Sequence, residues 1–177
     1  MTISHLWQAA ASYSARAHEH QRRHDGVTPF ASHPARVAMT VACVFGVTDE
    51  VVLAAALLHD VIEDCHVDYD ALNEQFGPDV ADLVVCLTKD KRLIEAERER
   101  AYDRQLAAGP WEARLIKLAD VYDNLADSRG SESRRAKLDK VRRALTLAAN
   151  DPELAEARRI VSEYAASVEK TLATAAR

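Results

Sequence analysis

The sequence has 177 residues, 48 % of them apolar, with five glycines, five prolines and a formal charge of −5. That length supports one domain with a sizeable core, and so little glycine and proline excludes a turn-rich β architecture. The acidic balance argues against a nucleic-acid partner, which calls for a basic face, and no stretch reaches the roughly 18 apolar residues of a membrane span.

The first expected helix runs from about Ser4 to Arg22, with Leu6, Ala9, Ala10, Tyr13 and Ala17 on one face. A loop, RRHDGVTPFASHP, follows, interrupted by Gly26, Pro29 and Pro34. Pro34 suits the first turn of the next helix, with Ser32 or His33 near its cap and Gly46 as its C-terminal stop. Thr48 or Asp49 then caps a helix reading VVLAAALLHDVIEDC, whose first half is apolar all round and therefore central. Asp70 is the expected cap of a short helix, ALNEQF, that stops at Gly77-Pro78, where DVADLVVCLTKD begins another. A charged stretch ends at Gly109-Pro110, Trp111 to Leu125 reads as a helix, and RGSES breaks it. Helices over about Arg134–Asn150 and Glu153–Ala173 complete an all-α chain, read as one domain over 1–177 with its core at 9–127 and two C-terminal helices within 134–173. The N-terminus has no signal-peptide pattern. Cys43, Cys65 and Cys86 form no CxxC pair, so reduced thiols and a cytoplasmic setting are expected.

Three polar signals interrupt apolar helical pattern. His59-Asp60-Val-Ile-Glu63-Asp64 ends the central helix, and at 100° per residue its four ionisable groups share an arc of roughly 140°. Burying them is costly unless a cation compensates their charge. Asp120 and Asn124 lie one turn apart in LIKLADVYDNL, and His33 precedes Pro34 at a helix start. Each signal alone has an ordinary structural explanation; the ordered combination is specific. His33, His59, Asp60 and Asp120 are the candidate metal ligands. Two imidazoles with two carboxylates suit Mn²⁺, Fe²⁺ or Zn²⁺, and such an ion polarises phosphoryl oxygens and acidifies water. Glu63 and Asp64, one turn further on, are placed to orient water or move a proton.

The runs QRRHDGVTPFASHPARVA, GVTDEVVLAAALLHDVIEDC, FGPDVADLVVCLTKDK and LIKLADVYDNL resemble the HD-domain phosphohydrolases. They are most similar to the stringent-response branch: the hydrolase domain of Rel/SpoT proteins and its stand-alone metazoan form. The likeness covers Ala9 to Asp127, about two-thirds of the chain. It implies a compact helical bundle, Mn²⁺ on His33, His59, Asp60 and Asp120, and a catalytic pair at Glu63 and Asp64. It further implies hydrolysis of the 3′-pyrophosphate of guanosine tetraphosphate (ppGpp), with Arg23, His24 and Asn124 touching the nucleotide. A related substrate such as NADPH, or a nucleotide-sensing module without turnover, are the alternatives; no nucleic-acid or membrane partner is expected. The chain departs from the family at Val121 and Ala126, where basic residues are common, and in its C-terminal segment, which lacks the usual aromatics. Lys137, Lys140, Arg142 or Arg143 are the candidates to supply the missing phosphate contacts.

Overall fold

The computed structural model describes residues 5–175. The fold is all-α: helices α1 (Leu6–Ala17), α2 (Ser32–Met39), α3 (Glu50–Leu58), α4 (Val61–Asp64), α5 (Tyr69–Phe76), α6 (Pro78–Leu87), α7 (Glu95–Ala108), α8 (Trp111–Ala126), α9 (Ser131–Leu147) and α10 (Ala155–Ala175). Among the described residues the one extended pairing is an isolated antiparallel bridge between Arg22 and Pro29. Among the same residues no helix is long and apolar enough to cross a membrane.

The central helix is α3. Its residues Ala54, Ala55, Ala56 and Leu58 are wholly buried, so it packs on several sides, against α1, α2, α6 and α8. Asp49 caps it as expected, accepting from the backbone N–H groups of Val51 and Val52 at 2.9 and 3.0 Å. Helix α8 lies beside it and carries Leu115, Ile116, Leu118 and Leu125 into the same core. Helices α9 and α10 close the far side of α8.

Several expected boundaries move. The start at Ser4 falls outside the described residues, and α1 ends at Ala17 rather than Arg22. There His18 turns inward, 1 % exposed, and its Nδ1 meets Gln21 Oε1 at 2.9 Å. The second helix passes into a π-helical turn over Thr40–Val44 before the positive-φ Gly46 ends it. Helix α5 is capped by Asp68, whose carboxylate accepts from the Ala71 N–H at 3.0 Å; Asp70 sits inside the first turn. Helix α9 already starts at Ser131, within the segment expected to be a break.

The largest correction concerns VVLAAALLHDVIEDC. It is two helices, α3 and α4, with His59 and Asp60 at the joint. The His59 ring binds the Ala56 carbonyl through Nδ1 at 2.8 Å. That acceptor would otherwise take the N–H of Asp60 in a continuous helix. The side chain replaces the backbone donor, and the chain turns.

Candidate metal centre

Four of the expected residues meet at the junction of α2, α3 and α8. His33 stands in the first turn of α2, His59 and Asp60 at the joint after α3, and Asp120 within α8. His33 and His59 are 1 % and 4 % exposed, Asp120 is buried and Asp60 is half-buried. His33 Nε2 lies 3.2 Å from Asp120 Oδ1 and 3.6 Å from Asp60 Oδ2. His59 Nε2 lies 3.2 Å from Asp60 Oδ2 and 4.0 Å from Asp120 Oδ1. The imidazole centroids are 5.2 Å apart, with the rings inclined at 74°.

The outer nitrogen of each ring is already committed. His33 Nδ1 donates to Asp123 Oδ2 at 2.7 Å, and His59 Nδ1 donates to the Ala56 carbonyl. Both partners only accept, so each Nδ1 carries a proton and each Nε2 faces the carboxylates. Asp123 is itself fixed by Arg36, whose Nε and second amino group donate to it at 2.6 and 2.9 Å. Asp123 and Arg36 were absent from the expected site. The one signal for Asp123 was its place three residues after Asp120, another carboxylate inside an apolar helix.

Burial disfavours a charged imidazole, but the carboxylates outweigh it. Asp60 and Asp120 push His59 up to about 9, and Asp120 and Asp123 raise His33. Asp60 and Asp120 are correspondingly held below the usual carboxylate range against the cost of burial, by His59 and by Lys117 respectively. The cluster therefore demands positive charge between its members.

A divalent ion answers that demand. His59 Nε2 is buried without a hydrogen-bond partner, although Asp60 lies within reach. His33, His59 and Asp60 offer donor atoms all within 4.8 Å of one another, and Asp120 adds an oxygen beside His33. Mixed nitrogen and oxygen donors fit a borderline or moderately hard metal. The residues present thus fit a bound divalent cation.

The other expected residues surround this cluster. Glu63 is partly buried, accepts from the Lys89 N–H through Oε2 at 3.1 Å, and is raised in pKa by burial, by more than that N–H lowers it. Asp64 is exposed and paired with Lys91 at 2.6 Å. Asn124 donates to Asp120 Oδ1 at 2.5 Å and accepts from Arg23 at 3.0 Å. Arg23 is buried, also bonds Asp127 at 2.9 Å, and lies 5.6 Å over the Phe30 ring. His24 is exposed on the same loop. Arg23 and Asn124 therefore stand beside Asp120 already hydrogen-bonded to each other. Lys117, which had no assigned role, holds the second oxygen of Asp120 at 2.7 Å.

The HD domain family matches residues 10–155. A guanosine-3′,5′-bis(diphosphate) 3′-pyrophosphohydrolase of Drosophila melanogaster is 44 % identical over 116 residues, covering 65 % of each chain. Its Homo sapiens counterpart is 44 % identical over 119 residues, 67 % of this chain and 66 % of that one. The chain thus spans just under two-thirds of these relatives' length. A solved structure described as a metazoan ortholog of SpoT that hydrolyzes ppGpp superposes with a TM-score of 0.80 at 32 % identity. That match covers 93 % of this chain and 96 % of the other. With its matched helices and its histidines and aspartates gathered at one junction, the chain belongs to the HD-domain family.

Proposed function

We propose that this chain, acting as one unit over residues 1–177, hydrolyses the 3′-pyrophosphate of ppGpp to guanosine 5′-diphosphate and pyrophosphate. The observation that carries the reading is the convergence of His33, His59, Asp60 and Asp120 around the unpartnered His59 Nε2. Those four residues would hold the ion, manganese in our reading. When bound, it supplies Lewis acidity toward a phosphoryl oxygen and makes water a better nucleophile.

The chain's own groups do the rest. Asp123 and the Ala56 carbonyl keep both Nε2 atoms aimed inward. Lys117 and Asn124 occupy the flanks of Asp120 and hold its carboxylate in place. Glu63, with a pKa raised by burial, takes a proton from the attacking water as its oxygen bonds to the 3′-phosphorus. The bond from that phosphorus to the ribose 3′-oxygen breaks, and the oxygen regains a proton. Raising a carboxyl toward neutrality improves it for this exchange. Asp64, tied to Lys91, fixes the end of α4 on which Glu63 stands.

The test is release of pyrophosphate from ppGpp by purified protein with added Mn²⁺. His59→Ala should abolish it. Full activity in that variant would remove the assigned site.

A further inference from the structure

Two cavities share a wall, and the smaller of them opens onto Asp120. The smaller, about 70 Å³, is lined by Tyr102, Lys117, Asp120, Asn124, Lys137 and Lys140 among others. The larger, about 340 Å³, is lined by Arg23, His24, Asn124, Arg129, Ser133 and Lys137 among others. Asn124 and Lys137 belong to both.

The cations around these cavities fall into two groups. Lys89 and Arg143 are paired with Glu99 at 2.6 Å, Lys117 with Asp120 at 2.7 Å, and Arg23 with Asp127 at 2.9 Å. Among the described residues, Lys137, Lys140 and Arg129 have no carboxylate within 4.0 Å. Lys140 and Arg129 are exposed, where water suffices. Lys137 is half-buried, and burial together with Lys140 pushes its ammonium below the usual lysine range. A half-buried positive charge without an anion is costly to keep. It is accounted for if an anionic ligand completes it.

We propose that Lys137 is a specificity-determining residue that receives the phosphates of the substrate which are not cut. The inference rests on the proposed hydrolase reading, in which the 3′-pyrophosphate reacts beside Asp120 and the 5′-diphosphate is the group left over. The smaller cavity abuts the reacting side, and the larger has room for the rest of a nucleotide. Lys137, at their junction, meets the second cluster of charge. The site would then select nucleotides phosphorylated on both sides of the ribose.

The experiment uses guanosine 5′-diphosphate and guanosine as probes, titrated calorimetrically into the full chain and its Lys137→Gln and Lys137→Arg variants. Loss of one charge-assisted contact should weaken guanosine 5′-diphosphate about tenfold in Lys137→Gln. Guanosine binding should not change, and Lys137→Arg should stay within about threefold of the parent. With ppGpp, KM should rise in Lys137→Gln while kcat holds. Equal binding of the two probes by the parent chain, unchanged binding in Lys137→Gln, or a fall in kcat without a rise in KM overturns the proposal. Pyrophosphate release is scored separately. Its absence from the parent chain, alongside Lys137-dependent diphosphate binding, overturns the hydrolase reading alone.

Discussion

Asp123 supplies no atom to the ion cluster, yet it holds the proton on His33 Nδ1 and so keeps Nε2 available. An Asp123→Asn change leaves the shape intact but weakens that acceptor and leaves Arg36 with Asp127, at 3.3 Å, as its carboxylate partner. Affinity for added Mn²⁺ should fall about 10- to 100-fold, as is usual for partners of metal-bound histidine, in a metal titration followed by calorimetry. Affinity equal to the parent's would show that His33 is held by packing alone. The contrast with Asp60 and Asp120 shows what a sequence can reveal. A histidine or carboxylate in an apolar helix announces itself through the cost of its burial. Asp123 shared that signal, but its role depends on His33, 90 residues away, and no local pattern encodes that pairing. Arg23 and Asn124 were named from the sequence, whereas the bond between them was not, for the same reason.

At the scale of elements, the helix boundaries at Gly77-Pro78 and Gly109-Pro110 were read correctly. The failures arose where side chains compete with backbone. Asp68 and Asp70 both precede ALNEQF, and only geometry selects Asp68 as the cap. The break at His59 follows from its ring taking the Ala56 carbonyl, which no propensity scale contains. Gly109 offers a test at this scale. Its φ of −77° suits any residue, but an added Cβ would meet Cys86 Sγ at 2.3 Å. Nearby, Gln105 ties α7 to the end of α6 through the carbonyls of Val85, Cys86 and Thr88, each at 2.9 Å. Gly109→Ala should therefore cost about 1–3 kcal/mol in urea denaturation. Pairing it with Cys86→Ala should recover much of that loss, a non-additivity expected of touching residues.

Across the whole molecule, buried ion pairs bind the last helices to the rest. Arg114, 9 % exposed, donates to both oxygens of Asp151 at 2.6 and 2.7 Å. Its guanidinium holds the Asp151 carboxyl below the ordinary 3.8. A carboxyl depressed on folding stabilises the native state above its unfolded pKa, and the benefit is lost as pH falls through the folded value. The melting temperature of the parent chain should accordingly exceed that of Asp151→Asn at pH 7, with the gap closing below about pH 4. A gap that persists into acid would assign the difference to hydrogen bonding rather than charge. The tie between Arg23 and Asp127 has a further consequence. These residues stand 104 positions apart, so a polypeptide still emerging from the ribosome exposes Arg23, His33, His59 and Asp60 well before α8 exists to satisfy them. A nascent chain translated only as far as Gly109 carries three of the four donors and neither aspartate of α8. The complete set of four donors therefore exists only once that helix has been translated and packed beside α3.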